Sequence, residues 1–185
     1  MQYQNIHLIY FSPTHTSAKI AYAIAEALEA DTLSESDITH EGLNELLSMG
    51  GNELVIVAVP VYGGRVAEKA MDRIRMFKGN ATPVIPVVVY GNRDYEDALK
   101  ELSDALSAQG FVPVSAGAFI GEHSYSRKDM PIAAGRPDKD DLLKASEFGS
   151  EILKKLDNVS TLTDLQPLEV KGNFPYKVKG PSTPQ

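Results

Sequence analysis

The chain contains no cysteine, which excludes disulfides, iron–sulfur ligation and thiol chemistry by its own residues. Positive charge is in short supply: 18 lysines and arginines face 25 aspartates and glutamates, for a formal net charge of −7. That balance would repel nucleic acid and anionic membrane surfaces, so neither is an expected partner. No apolar run approaches the roughly eighteen residues that a membrane span needs. The amino terminus shows no basic stretch and no long apolar segment, so no export signal is read and a cytoplasmic location is expected. Without export, the matches to the glycosylation pattern at Asn80 and Asn158 are chance matches.

Several motifs are missing too. Gly-x-Gly-x-x-Gly and Gly-x-x-x-x-Gly-Lys-Ser/Thr do not occur, which argues against dinucleotide and P-loop sites. A receiver domain needs an acceptor aspartate after the third strand, where Pro60 and Val61 stand. The four histidines (His7, His15, His40, His123) have no metal-ligand spacing. The carboxylates of Asp138, Asp140 and Asp141 are read as serving the amino end of the last helix rather than a cation.

What is present is ordinary globular material: 185 residues, 43% hydrophobic and 23% charged, enough for one domain around one core. Ile6, Leu8, Ile9, Tyr10 and Phe11 read as a buried strand, and Ile20, Ala21, Ile24, Ala25 and Leu28 then recur at helical spacing. Thr32-Leu33 carries a weak strand signal. Leu43, Leu46 and Leu47 predict a brief helix stopped by Gly50-Gly51. Leu54 to Val59 has the continuous branched pattern of a central parallel strand, ending at Pro60. Val66, Ala70, Met71, Ile74 and Phe77 mark a helix closed by Gly79. Val84 to Val89 is a further buried strand with Pro86 inside it, an awkward place for a residue without a donor.

A helix from about Asp94 to Ala108, a fifth strand over Val112 to Ile120 and a last helix from Pro137-Asp138 through Leu156 complete the alternation. Five strand–helix alternations predict an α/β, doubly wound, five-stranded parallel sheet with helices on both faces. Residues 1–157 form that domain. Residues 158–185, with four prolines and two glycines, read as an extended tail or linker.

Chemistry gathers in three loops. Ser12, Pro13, Thr14, His15, Thr16 and Ser17 join the first strand to the first helix. A strand feeding a helix start concentrates free N–H groups and the positive dipole end at one spot. One hydroxyl suffices for a helix cap. Four hydroxyls in six residues exceed that need and suit a phosphate, held by dipoles and hydrogen bonds because the loop has no lysine or arginine. In an open parallel sheet, ligands bind beyond the carboxyl ends of the strands. Two further loops there pair an aromatic with glycine: Pro60, Val61, Tyr62, Gly63, Gly64 and Arg65, and Tyr90, Gly91, Asn92, Arg93, Asp94 and Tyr95. Glycine lets backbone approach a flat ligand while a ring stacks on it. The implied ligand carries a phosphate at one end and an aromatic system at the other.

With these loops in this order, the chain resembles the flavodoxin family over roughly Asn5 to Leu156. The resemblance implies a sheet in strand order 2-1-3-4-5 and FMN as cofactor. The family's phosphate loop usually reads Thr/Ser-x-Thr-Gly-x-Thr. Ser12, Thr14 and Ser17 match its hydroxyl positions and His15 stands in place of the glycine, at a cost in energy if the position requires positive φ. Pro60 to Val66, Tyr90 to Arg93 and the tail Gly172-Asn173-Phe174-Pro175-Tyr176 look most like the flavodoxin domain that precedes a ferredoxin domain with two 4Fe-4S clusters. A ferredoxin-type 4Fe-4S domain is therefore an implied partner, although this sequence ends at Gln185 without the cysteine-rich part.

By the same resemblance, Ser12, Thr14, His15, Thr16 and Ser17 would hold the FMN phosphate, and Tyr62 and Tyr95 would flank the isoalloxazine. The Gly63-Gly64 peptide would face flavin N5, and Asn92 with its neighbours would meet the pyrimidine edge. Stacked aromatics and acidic surroundings disfavour an anionic reduced flavin, which suits a carrier of low-potential electrons to redox partner proteins. The alternative is an FMN-dependent oxidoreductase acting on a quinone or other small molecule with NAD(P)H, for which His123, Tyr125 and Arg127 could line a pocket. The same three residues also read as an ordinary polar loop.

Overall fold

The computed structural model describes residues 1, 3–40 and 45–178. In chain order the elements are β1 (Asn5–Tyr10), α1 (Thr16–Glu26), β2 (Thr32–Asp37), β3 (Leu47–Met49), β4 (Glu53–Tyr62) and β5 (Arg65–Val66). They continue with α2 (Glu68–Ile74), β6 (Phe77–Gly79), β7 (Thr82–Tyr90), α3 (Ala98–Ala108), β8 (Phe111–Pro113), β9 (Gly117–Ile120) and α4 (Lys139–Asp157). The main sheet runs β2-β1-β4-β7-β8, all parallel, with β9 also on β7. Taking β8 and β9 as two halves of one strand, this is the expected order 2-1-3-4-5.

Burial on both faces explains why β4 is continuously apolar. Val55, Val57 and Val59 face a layer containing Ala70, Met71 and Ile74 of α2 and Leu99, Leu102 and Leu106 of α3. Leu54, Ile56 and Ala58 face Ile20, Ala21 and Ile24 of α1 and Ala145, Ile152 and Leu156 of α4. Each such aliphatic side chain contributes about 1.5–3 kcal/mol when fully buried. No helix among the described residues is long and apolar enough to cross a membrane.

Six expectations need correction. Leu47 belongs to a strand, not a helix: β3 pairs in parallel with β6, and the Leu47 N–H donates to the Met76 carbonyl at 2.8 Å. Pairing available from a distant segment overrides local helical spacing there; Leu43 lies outside the described residues. The weak signal at Thr32-Leu33 extends to Asp37, because an exposed edge strand needs backbone pairing with β1 and little apolar surface. β4 does not stop at Pro60. Its register passes the end of β1 at Ala58, so the missing N–H breaks no ladder bond, and the Pro60 carbonyl accepts from Ala67 instead.

The second helix is shorter than expected. Val66 lies on β5, and Phe77 and Gly79 lie on β6. α3 begins at Ala98 rather than Asp94, since positive φ at Asn92 and Glu96 breaks the helical path before it. The fifth strand is split, and Pro86 is the physical reason. β8 ends its register opposite Val84 and β9 resumes opposite Val87, so the neighbouring strand is interrupted beside the residue that has no N–H to share.

The last helix begins as expected: the Asp138 carboxylate accepts from Asp140 and Asp141 N–H groups, and Asp141 returns the bond to Asp138. Beyond α4, Leu162 and Leu165 pack on the α1/α4 layer and Val170 packs on the α2/α3 layer. The tail thus passes from one face of the sheet to the other. Its residues 171–178 then return to the carboxyl edge of the strands, where the three chemistry-bearing loops lie.

Candidate functional site

The β1–α1 loop is shaped by a left-handed residue. His15, at φ 60° and ψ 7°, precedes α1 without a side-chain cap bond. Its N–H donates to the Ser12 carbonyl at 3.0 Å, which closes a tight turn. Ser12 is buried, its N–H donating to Thr39 Oγ1 at 2.8 Å and its hydroxyl accepting from Ala18 at 3.0 Å. Pro13, Thr14 and His15 are exposed at the tip, and the Thr14 and Thr16 hydroxyls stand 3.3 Å apart.

This turn leaves donors open. Among the described residues, no partner is made by the backbone N–H groups of Thr14, Thr16 and Ser17. The Ser17 hydroxyl is buried and, among the described residues, has no hydrogen-bond partner. A buried hydroxyl without a partner costs about 1–3 kcal/mol. Three open N–H groups at the positive end of a helix, with an orphaned hydroxyl beside them, are a donor set that fits a phosphate.

The second loop is a two-residue hairpin. β4 and β5 pair antiparallel through Val61↔Val66 and Tyr62↔Arg65, with Gly63 at φ 63° and Gly64 at φ 79° forming the turn. Two successive positive φ values are the signature of a type I′ turn, which suits glycine at both places. Pro60 and Val61 stay within β4, while Tyr62 is 46% exposed at the rim, with its partial burial raising the phenol pKa. Among the described residues, nothing but Gly63's own chain neighbours lies within 4 Å of where a Cβ on it would project, so one face of the hairpin tip is open to a flat ligand. Arg65 points elsewhere. Its guanidinium makes two bonds to Glu101, at 2.8 and 2.6 Å, and a third to the Lys177 carbonyl at 2.7 Å.

The third loop leaves β7 at Tyr90. Tyr90 and Tyr95 meet edge to face at 5.3 Å between centroids. Asp94 accepts from the Glu96 N–H at 3.0 Å and pairs with Lys171 at 2.7 Å, and that Lys171 bond holds its pKa below the usual carboxylate range. Asn92 is exposed and left-handed at φ 59°. Gly91 permits the His123 ring to lie against the backbone; a Cβ there would fall 2.7 Å from His123 Cγ.

Contacts between loops bring the candidate residues to one rim. The Asp97 N–H donates to the Gly64 carbonyl at 3.1 Å, joining the second loop to the third. His123 packs on Gly91, joining the third to the loop after β9. Gly121 lies against Thr16, joining that loop to the first; a Cβ on Gly121 would come 3.3 Å from Thr16 Cβ. Within the same loop, the Tyr125 N–H donates to His123 Nδ1 at 3.0 Å and the two rings are 5.2 Å apart. Arg127 pairs its backbone with Met130 and is exposed.

Three residues of this rim escape sequence reasoning. Thr39 anchors Ser12, Asp97 anchors Gly64, and Lys171 sits 4.6 Å above the Tyr95 ring. Asp97, immediately before a helix, carries a weak sequence signal as a capping residue, but its carboxylate makes no cap bond. Nothing local marks Thr39 or Lys171. A depression lined by Tyr3, Gln4, Asn5 and Asn52 lies at the opposite, amino-terminal edge of the sheet, away from every loop named here.

No family model matches the chain, and no curated protein matches it. Solved structures do. The chain is similar to a flavodoxin from the domain Archaea, at 15% identity over 83% of this chain and 99% of that one, with a TM-score of 0.50. It is similar to the apo form of an NADH:FMN oxidoreductase, at 15% identity over 89% and 95% of the two chains and a TM-score of 0.54. A flavodoxin, WrbA-like protein from Agrobacterium tumefaciens matches at 14% identity over 85% and 99%, with a TM-score of 0.51. Identities this low speak to architecture, and the architecture is the flavodoxin-like α/β fold.

Proposed function

We propose that this flavodoxin-like chain binds FMN and works in the cytoplasm as an electron carrier between redox partner proteins. One observation supports the reading most: the open N–H groups of Thr14, Thr16 and Ser17 and the orphaned Ser17 hydroxyl converge at the start of α1. They do so on the same rim as the Gly63-Gly64 hairpin and the tyrosines Tyr62 and Tyr95. A neighbour in fold whose name includes FMN adds support.

FMN, when bound, supplies one- and two-electron redox chemistry. The chain supplies the rest. Its first loop would hold the phosphate dianion through N–H groups and hydroxyls, without a paired cation. The open face of Gly63 would let the backbone approach the ring, and Tyr62 and Tyr95 would exclude water from its faces. The net charge of −7 disfavours added negative charge near the ring. A ferredoxin-type 4Fe-4S protein or domain is the partner class that the sequence resemblance favours.

The second reading, an FMN-dependent oxidoreductase, is favoured by one feature: the braced 121–136 loop sets His123 and Tyr125 at the edge of the same rim. Two measurements separate the readings. Reconstitution with FMN should give the visible absorbance bands of a bound flavin. Steady-state oxidation of NAD(P)H with quinone acceptors should then be absent for a carrier and present for an enzyme.

A further inference from the structure

We propose that residues 171–178 are a strap that sets the ring end of the flavin site, with Asp97 as the positioning residue that links strap, hairpin and aromatic loop. The inference rests on the FMN reading for its ligand, but not for its geometry.

Asp97 is 3% exposed, and it works in two directions. Its backbone N–H holds the Gly64 carbonyl. Its carboxylate receives three donors from the strap: the Asn173 N–H at 2.8 Å, Asn173 Nδ2 at 3.1 Å and the Lys177 N–H at 2.6 Å. Charge-assisted bonds of this kind are the strong ones, and three on one buried carboxylate define a docking point rather than a passing contact.

The strap also reaches the hairpin and the aromatic loop separately. Tyr176 donates its hydroxyl to Asp104 at 2.7 Å and lies under the Arg65 guanidinium at 4.9 Å. Arg65 follows Gly64 directly, so gripping it fixes the hairpin from its second side. Glu101, which holds Arg65, also accepts from the Val66 N–H at 2.9 Å. Lys171 lies over Tyr95 and is tied to Asp94, and Lys177 pairs with Glu96. Residues 64–66 and 94–97 are thus immobilised by a segment more than seventy positions away in the chain. Among the described residues, no hydrogen bond, ion pair or ring contact joins residues 171–178 to the 12–17 loop. The strap therefore governs the ring end of the site and leaves the phosphate end alone.

That separation gives the test. The full chain carrying Asp97→Asn or Tyr176→Ala is compared with wild type by amide hydrogen exchange without flavin, then by titration with FMN and with riboflavin. The rim amides are those of Ala67, Asp97 and Ala98, each bonded in the structure; the reference amides are His15 in the phosphate loop and Lys19 in the first turn of α1, which bonds back to it. Both variants should speed rim exchange by about tenfold or more and leave the reference amides unchanged. Affinity for FMN and for riboflavin should fall by the same factor, about tenfold, because the lost order is at the ring. Should Asp97→Asn fail to fold, Tyr176→Ala and Lys177→Pro, which removes one donor to Asp97, carry the test. Rim amides at wild-type exchange rates in folded variants would overturn the proposal, as would a loss confined to FMN. If wild type takes up no flavin, the FMN reading fails, while the exchange result still decides whether the strap orders the rim.

Discussion

The Asp97 N–H donates to the Gly64 carbonyl at 3.1 Å, and this one bond fastens a glycine hairpin to the start of α3. It places Gly64 against Glu96 so closely that a Cβ on the glycine would fall 2.7 Å from Glu96 Cδ. Gly63, one residue earlier, has no described residue other than its chain neighbours within 4 Å of the same position. The two glycines share a turn and differ in their surroundings.

Alanine substitution should separate them. Both positions have positive φ, so each replacement costs about 1 kcal/mol in backbone strain. Gly64→Ala adds a steric conflict with Glu96, and should cost about 1–3 kcal/mol more. Denaturant unfolding of the two variants side by side checks the order, and equal losses would contradict it.

Ser17→Ala should move stability and affinity in opposite directions. Removing a buried hydroxyl that has no partner should leave the flavin-free protein unchanged or up to about 1 kcal/mol more stable. FMN affinity should fall by about tenfold, or 1.4 kcal/mol, if that hydroxyl meets the phosphate. Riboflavin affinity should not change. Thermal melts with and without each flavin read all three.

His15 adopts a left-handed conformation that glycine accepts without strain. His15→Gly should therefore be neutral or stabilising by up to about 1 kcal/mol, the relief of strain being offset in part by the entropy of the unfolded chain. His15→Val should destabilise by about 1–2 kcal/mol, since a branched side chain resists positive φ most. Chemical denaturation of the three proteins gives the ranking directly.

The strap should release in acid. N–H donors from Lys177 and Asn173, with Arg65 nearby, hold the Asp97 carboxyl below its usual range. A carboxyl whose native pKa is depressed contributes its stability in full above the unfolded value of about 3.9. That contribution is lost as pH falls through the lower native value. The amide resonances of Asn173 and Lys177 should shift together below about pH 4, and the shift should vanish in Asp97→Asn.

How much of this was legible in the sequence differs by element. β4 and β7 announce themselves because both faces are buried and burial demands long apolar runs, and β1 does so through Leu8, Ile9 and Tyr10 despite the half-buried His7. β2 is nearly silent: its side chains are almost all exposed and its strand state comes from backbone pairing with β1. β3 is misleading, since Leu47, spaced for a helix with Leu43 and Leu46, is taken by a strand partner thirty residues away. In the sequence Pro86 is an objection to a strand; in the fold it is the reason the next strand is split.

The candidate site divides in the same way. Hydroxyls before a helix and glycines beside tyrosines are local features, so the three loops could be marked by residue type alone. The direction of Arg65, the anchoring by Thr39 and the double role of Asp97 depend on partners distant in sequence. No local pattern encodes them: Thr39 meets Ser12 across the β1–β2 edge, and Arg65 and the Asp97 carboxylate meet Lys177 only where the tail folds back on the rim.

Calorimetric titration of the folded protein with FMN, with riboflavin as the phosphate-free control, reaches the central claim most directly. The protein should take up one FMN per chain, bound at least about a hundredfold more tightly than riboflavin, a difference of roughly 2.7 kcal/mol for the phosphate alone. Equal affinity for the two flavins would remove the phosphate loop from the account, and no uptake of either by folded protein would contradict it outright.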